Sequence, residues 1–268
     1  MKQLNLNSMD GTPIRGYRWE PVGEAKADIL LCHGLAEHMG RYLYVANSLA
    51  KANYRVTGIE LRGHGHSGGK RGHVNRWQDY VEDLKSGART IEGDHFVLAH
   101  SMGGLVGLDH LRSATNVRGF ITTGPLLGVA VATPKWKVIA GRLLSRLLPS
   151  LSMVNELDPS TVCSDPDVVR AYAEDPLVFN TVTPRWFTEL TAALDRVHGH
   201  APHYQIPSLL MWGERDVIVG IDEIHDFAAR FGGKLDTRGW QGLFHEILNE
   251  PVKDEVLGVI LEWLDAHA

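Results

Sequence analysis

The sequence Phe96-Val97-Leu98-Ala99-His100-Ser101-Met102-Gly103-Gly104-Leu105 decides how this chain folds. Its leading apolar residues are typical of a buried parallel strand. Ser101 then stands among small residues, with Ala99 two positions before it and Gly103 two positions after it. This spacing is typical of a strand that turns sharply into a helix, because bulky neighbours would clash at a strained backbone. The pattern predicts a serine hydroxyl held above a sheet, with a helix N-terminus beneath it.

Strands and helices alternate on both sides of this turn. Apolar runs predict strands at Leu4–Asn7, Arg15–Trp19, Ala27–His33, Tyr54–Glu60, Val117–Thr123, Ser208–Gly213 and Leu235–Arg238. Helical spacing of apolar residues predicts helices at Tyr42–Ala52, Asn75–Glu92, Met102–Ser113, Asp222–Phe231 and Val252–His267. The alternation predicts an α/β fold, with a mostly parallel central sheet and helices on both faces.

The alternation stops between about residues 125 and 204, after the sixth predicted strand, and we expect no strand there. Three dipeptides in this segment place a capping side chain before a proline: Thr133-Pro134, Asp165-Pro166 and Thr183-Pro184. A capping residue followed by proline is typical of a helix start. The predicted helices are Pro134–Leu148, Pro166–Glu174 and Pro184–His198. We therefore expect a single domain over residues 1–268, with a helical insertion at about 125–204.

Composition excludes several classes of protein. The 268 residues carry a formal net charge of −5 at pH 7, so nothing favours nucleic-acid binding or a polybasic membrane anchor. Two cysteines, Cys32 and Cys163, are too few for a disulfide framework. No apolar run has the length of a membrane span, and the first residues lack the apolar core of a signal peptide. We therefore expect a cytoplasmic location.

A serine hydroxyl becomes a good nucleophile only when a base takes its proton and an acid orients that base. On a parallel sheet such groups lie on loops beyond the carboxyl ends of strands, here in the order serine, acid, histidine. The loop after Ser208–Gly213 offers Asp216, with Glu214 and Asp222 as competing acids. The loop after the next predicted strand carries His245, just ahead of the last helix. Ser101, Asp216 and His245 are therefore the candidate catalytic residues.

The negatively charged oxygen that forms when serine attacks a carbonyl needs two backbone N–H donors. Met102, directly after the serine, supplies the first candidate donor. His33-Gly34-Leu35, at the end of a predicted strand, supplies the second, with Leu35 as the candidate. Each such donor contributes roughly 2.7–4 kcal/mol to stabilising the transition state.

Two other patterns admit a different chemistry. Five histidines fall in the first third of the chain: His33, His38, His64, His66 and His73. They lack ligand pairs at helical spacing and a neighbouring carboxylate–cysteine set, so we predict no metal and no cofactor. Arg62, Lys70 and Arg71 could form a phosphate-binding patch, although a solvated loop is the simpler interpretation.

Three segments match the sequence patterns of a known family. His33–His38 followed by Gly40-Arg41-Tyr42 matches HG-x-x-EH-x-x-RY. Arg62–Ser67 with Gly69–Gly72 matches RGHG-x-S-x-G-x-RG, and Ala99–Gly104 is similar to G-H-S-M-G-G. Shorter matches follow at Ser164-Asp165-Pro166, Asp175-Pro176-Leu177, Gly213–Asp216, His245-Glu246 and Asn249-Glu250. From about Asp10 onward, the chain therefore resembles the monoacylglycerol lipase and lysophospholipase family of α/β-hydrolases.

The resemblance implies an α/β-hydrolase fold with a helical cap inserted after the sixth strand. It implies an esterase whose triad is Ser101, Asp216 and His245, and an apolar cap over an acyl tunnel. The function that we expect is hydrolysis of monoacylglycerols to fatty acid and glycerol, through an acyl-enzyme on Ser101. A lysophospholipase, a general carboxylesterase and a non-catalytic ligand-binding protein are the alternatives.

The chain departs from the family pattern in three places. Ala99 replaces the first glycine of the serine turn, and Glu60 replaces an aspartate; we expect both to affect packing. Trp212 stands where histidine is common, so we expect it to reshape the substrate pocket and alter substrate preference.

The first helix of the insertion carries a leucine stripe that includes Leu143, Leu144 and Leu147. One interpretation is packing on the core, and another is a lipid-facing substrate entrance. We expect both roles, and transient contact of the cap with a membrane or micelle surface. The expected partner is a small lipid ester; the sequence leaves the oligomeric state open.

Overall fold

The computed structural model describes residues 1–130, 135–155 and 157–268, with the helix backbone alone at 135–138. Its strands are β1 (Lys2–Asn7), β2 (Pro13–Trp19), β3 (Ala27–Cys32), β4 (Tyr54–Ile59), β5 (His95–His100), β6 (Val117–Thr123), β7 (Met153–Val154), β8 (Thr181–Val182), β9 (Ser208–Gly213) and β10 (Leu235–Trp240). Its α-helices are α1 (Leu43–Lys51), α2 (Trp77–Ala88), α3 (Met102–Leu111), α4 (Lys135–Leu147), α5 (Pro166–Glu174), α6 (Pro184–His200), α7 (Ile221–Arg230) and α8 (Lys253–His267).

Eight strands form the central sheet, in the order β1-β2-β4-β3-β5-β6-β9-β10. The pairs β1–β2 and β2–β4 are antiparallel, and every pair from β4 to β10 is parallel. The predicted α/β-hydrolase fold, a mostly parallel sheet with helices on both faces, is confirmed. Because parallel strands end at one edge, the loops after β3, β5, β9 and β10 meet there.

Strand β5 lies inside the sheet, and its side chains contribute to the apolar layers on both faces of the sheet. All six of its residues are buried. Val97 and Ala99 belong to the apolar cluster that contains residues of α2, α3 and α6, whereas Phe96 and Leu98 belong to the cluster that contains residues of α1 and α8. The alternation follows from the period of two along a strand, with both faces of the sheet covered.

The segment between β6 and β9 contains α4, α5 and α6, as the sequence predicts. Asp165 and Thr183 cap the last two of these helices, where they accept the N–H groups of Asp167 and Trp186. Thr133 and Pro134 lie outside the described residues. The expectation that the segment holds no strand is wrong, because β7 and β8 form a short antiparallel pair of two residues each.

Across the described ranges, no helix is long and apolar enough to cross a membrane. The cytoplasmic location stays a prediction.

Helix α3 packs so closely on the sheet that one glycine determines its position. A Cβ on Gly103 would lie 2.4 Å from the His33 carbonyl oxygen and 2.7 Å from that of Cys32. A backbone carbonyl cannot rotate away as the end of a side chain can, so Gly103→Ala forces the helix off the sheet. Overpacking of this kind costs about 1–3 kcal/mol of unfolding free energy.

We expect urea denaturation to show that loss for Gly103→Ala. The matched control is Gly258→Ala on α8, where a Cβ would have nothing within 4 Å. There the change should stabilise the protein by about 0.5–1 kcal/mol, because alanine favours the helix. Equal stabilities of the two variants would contradict the packing argument.

Candidate active site

Ser101 occupies the turn between β5 and α3 with φ 53° and ψ −120°, in the left-handed region that side chains rarely adopt. The strained turn places the side chain at the sheet edge, where 7% of the residue is exposed. The neighbouring helix accommodates the methyl group of Ala99. The Ala99 methyl carbon lies 3.7 Å from where a Cβ on Gly107 would stand, so α3 leaves room for this methyl group.

His245 bridges Ser101 and Asp216. Its Nε2 lies 2.9 Å from Ser101 Oγ, and its Nδ1 lies 2.6 Å from Asp216 Oδ2. With the ring proton on Nδ1, Asp216 accepts it and Nε2 is free to accept the serine proton. Gly124, which the sequence analysis did not single out, backs the ring: a Cβ there would lie 3.0 Å from His245 Nδ1.

The electrostatic interaction between Asp216 and His245 favours the charged form of each side chain. Burial disfavours the imidazolium, but the Asp216 carboxylate outweighs it and holds the pKa of His245 above the ordinary value. Burial also disfavours the Asp216 carboxylate, yet His245 and two backbone N–H donors bring its pKa below the ordinary value. Those donors are Ile218 and Val219, whose nitrogens lie 2.8 and 3.1 Å from Asp216 Oδ1.

The competing acids lie elsewhere. Glu214 Oε1 accepts the indole N–H of Trp212 at 3.1 Å. Asp222 is exposed in the first turn of α7. Neither carboxylate hydrogen-bonds His245, whose Nδ1 partner is Asp216. The geometry therefore favours Asp216.

The two candidate oxyanion donors belong to segments that adjoin the serine. Gly34 packs against Ser101, since a Cβ on Gly34 would lie 3.1 Å from Ser101 Cβ. Within the described part of the chain, neither the Leu35 nor the Met102 N–H donates to another protein group. Both amides are therefore free to donate to a ligand oxygen at the serine.

A cavity of about 520 Å³ opens above Ser101 and His245. Its apolar wall comes from the loop that carries Leu35, the loops after β6 and β9, and the helical insertion. The main apolar lining residues are Leu35, Leu126, Val129, Leu157, Val162, Trp186, Phe187, Leu190, Val217 and Ile218. The Thr183-Pro184 dipeptide predicted helix α6, but not that Trp186, Phe187 and Leu190 line the cavity.

Four predicted substrate-binding residues do not line this cavity. Trp212 is buried and packs edge-on against His225, because a residue within β9 projects onto the sheet face rather than beyond the strand end. Leu143 and Leu147 are 57% and 67% exposed on the outer side of α4, and Leu144 is half-buried. A role for any of the four in substrate preference stays a prediction.

The N-terminal histidines have structural partners. His33 Nε2 accepts the Leu61 N–H at 3.0 Å, and its ring packs 5.0 Å from that of His64. Burial lowers the pKa of His64 to about 3. Among the described residues, no group of three or more His, Cys, Asp or Glu side chains could hold a metal ion. Arg62, predicted on a solvated loop, is instead buried and paired with Asp83.

A family model described as serine aminopeptidase, S33, matches residues 23–252. The chain belongs to the S33 serine hydrolases. Its α/β-hydrolase relatives include a monoacylglycerol lipase of Mycolicibacterium smegmatis, 30% identical over 93% of this chain and 91% of the relative. A phospholipase of Bacillus subtilis is 29% identical over 90% of this chain and 96% of the length of that phospholipase.

This S33 hydrolase has the same fold as a monoacylglycerol lipase of Paleococcus ferrophilus. The two structures align with a TM-score of 0.89 and 27% identity over 100% of both chains. An uncharacterised abhydrolase domain-containing protein of Dictyostelium discoideum is 32% identical over 97% of this chain, which corresponds to 28% of that longer protein. These matches place the chain among monoacylglycerol lipase-like α/β-hydrolases.

Matched substitutions distinguish the two carboxylates of the loop after β9. We expect Asp216→Asn to lower kcat of this S33 hydrolase by about 10⁴-fold, because an amide favours the wrong histidine tautomer. Glu214→Gln should keep kcat within about threefold, because Glu214 contacts Trp212 rather than His245. Steady-state hydrolysis of a p-nitrophenyl ester measures both, and a larger loss in Glu214→Gln would show that the acid is misassigned.

Proposed function

We propose that this protein hydrolyses monoacylglycerols to fatty acid and glycerol, through an acyl-enzyme on Ser101. The observation that carries the proposal is the hydrogen-bonded chain Ser101–His245–Asp216 at the base of a largely apolar cavity. The family match and the two related lipases support the same chemistry.

In this proposal, Ser101 Oγ attacks the ester carbonyl while His245 Nε2 accepts the hydroxyl proton. The N–H groups of Leu35 and Met102 stabilise the resulting oxyanion. His245 then protonates the departing glycerol oxygen. Water, deprotonated in turn by His245, attacks the acyl-enzyme and releases the fatty acid.

The polar lining favours a neutral alcohol. Glu37, Asp158 and Glu246 line the cavity, and the described lining residues include no Lys or Arg. Arg41, behind the lining, pairs with Glu37 and Glu246 and offsets one of the three negative charges. Asp158 is exposed and can accept hydrogen bonds from glycerol hydroxyls, and the remaining negative charge repels a phosphate group. A lysophospholipase, which the Bacillus relative makes the second candidate, would have to accommodate a phosphate in this acidic cavity.

The outer side of α4 supplies a surface for contact with lipid. Ile139, Leu143 and Leu147 recur at a spacing of four residues and are 68%, 57% and 67% exposed. Arg142 and Arg146 are exposed beside them. An apolar stripe flanked by cations suits transient adsorption to anionic bilayers or micelles. We place this contact within the proposed function, as a route for substrate delivery.

A substrate panel tests the proposed activity. It compares monoacylglycerols of several chain lengths with diacylglycerol, lysophosphatidylcholine, p-nitrophenyl esters, and a lysophosphatidic acid of matched acyl chain. We expect kcat/KM at least about tenfold higher for the monoacylglycerol than for the matched lysophosphatidic acid, because the acidic cavity repels the phosphate. Equal or higher efficiency on short synthetic esters alone would leave a general esterase.

Labelling with a fluorophosphonate probe provides the control for catalysis. Wild-type protein should label, and Ser101→Ala should not. An unlabelled wild-type protein would contradict the catalytic role of Ser101 and favour a non-catalytic ligand-binding protein.

Vesicle sedimentation tests the surface on α4. We expect the double variant Leu143→Ser/Leu147→Ser to bind anionic vesicles several-fold more weakly, since each leucine contributes buried apolar area at the interface. Val22→Ser is the control, because Val22 is 81% exposed in the β2–β3 connection. Unchanged binding of the double variant would remove α4 from the proposal.

A further inference from the structure

Arg41 connects two carboxylates from different parts of the chain beside the candidate active site. Its two Nη atoms contact both oxygens of Glu246, at 2.5 and 2.7 Å. Nη1 also lies 3.0 Å from Glu37 Oε2. The side chains of Arg41, Glu246 and Glu37 are 9%, 6% and 4% exposed, so solvent screens their charges weakly. We refer to Glu37, Arg41 and Glu246 as the Arg41 cluster.

Each carboxylate of the Arg41 cluster is bound to a loop of the candidate active site. Glu37 Oε1 accepts the Gly34 N–H at 2.5 Å and the Tyr42 hydroxyl at 2.7 Å, so it holds the loop that carries Leu35. Glu246 directly follows His245 in the chain. The cluster therefore connects the candidate oxyanion loop to the loop that carries the base.

The helical insertion contacts the same cluster. The Arg41 guanidinium lies 4.7 Å from the centre of the Tyr172 ring on α5. The Glu246 N–H donates to the carbonyl of Val162 at 2.8 Å, and Tyr172, Val162, Glu37 and Glu246 all line the cavity. Three separately encoded segments thus meet at one guanidinium.

We propose that Arg41 is a positioning residue for the hydrolysis reaction, which holds the Leu35 amide in register with His245 through Glu37 and Glu246. Arg41 makes no hydrogen bond to Ser101, and it acts on the reaction through the two loops. This inference rests on the proposed function for its serine chemistry, but not for the identity of the alcohol.

Loss of the cation leaves two buried carboxylates facing each other, and repulsion between them separates the loops. We expect Arg41→Met to lower kcat roughly 10- to 100-fold, somewhat less than the roughly 10²–10³-fold loss on removing an oxyanion donor outright. KM should stay within about threefold, because the oxyanion contact forms in the transition state. Arg41→Lys, which retains the charge but not the bidentate geometry, should recover part of kcat.

A pH profile separates positioning from general stability. The charged and titratable groups that face His245 are Asp216, Glu37, Glu246 and His100, and the acidic ones raise its pKa. The base must be neutral, so kcat/KM falls as pH drops through that pKa. Glu246→Gln removes one negative charge, so the acid limb should move about half a pH unit lower. Glu262→Gln, the same change at an exposed position of α8, should not move it.

The experiment uses p-nitrophenyl butyrate, with active sites counted by end-point fluorophosphonate labelling. The matched control is Arg62→Met, since Arg62 is equally buried and pairs with Asp83 and Asp10. It should lower the thermal midpoint but keep kcat per labelled site. Wild-type kcat in Arg41→Met, or an equal kcat loss in Arg62→Met, would overturn the positioning role. If Arg41→Met does not fold, two other measurements test the positioning role. They are kcat of Arg41→Lys and the pH at which kcat/KM of Glu246→Gln falls on the acid side. A wild-type protein that fails to label would instead contradict the proposed function.

Discussion

The backbone turn at Ser101 is the constraint on which the rest of the structure depends. A residue with a side chain is held at φ 53°, a conformation that is unfavourable unless the surroundings enforce it. Two neighbouring elements hold the Ser101 backbone in this conformation. Strand β5 is hydrogen-bonded on both sides within the sheet, and α3 packs against the carbonyls at the end of β3. Small residues around the serine are therefore a packing requirement, and Ala99 is tolerated because Gly107 faces it.

Much of the sheet and the candidate triad could be predicted from the sequence, because both depend on local pattern. Apolar runs locate the parallel strands, and the strand ends direct attention to Ser101, Asp216 and His245. The strands β7 and β8 could not be predicted in this way, because a strand of two residues is too short to show a periodicity. Helical spacing on α4 likewise reveals a stripe that includes Leu143, but not whether it faces the core, the cavity or solvent.

The Arg41 cluster was harder to foresee, although its residues lie within quoted motifs. Its members are charged residues on loops, and side-chain pairing there depends on how distant segments meet. Arg41 and Glu246 are 205 positions apart. The same limit applies to Trp212: its identity is visible in the sequence, but its contact with Glu214 and His225 depends on the packing of α7 on β9.

The separation between Ser101 and His245 has a consequence for biosynthesis. These partners lie 144 residues apart along the chain, and the candidate acid Asp216 also follows β5, in the loop after β9. During translation, β5 and the turn at Ser101 emerge well before the candidate acid and the candidate base. The candidate triad is therefore incomplete until β9 and β10 have docked on the sheet.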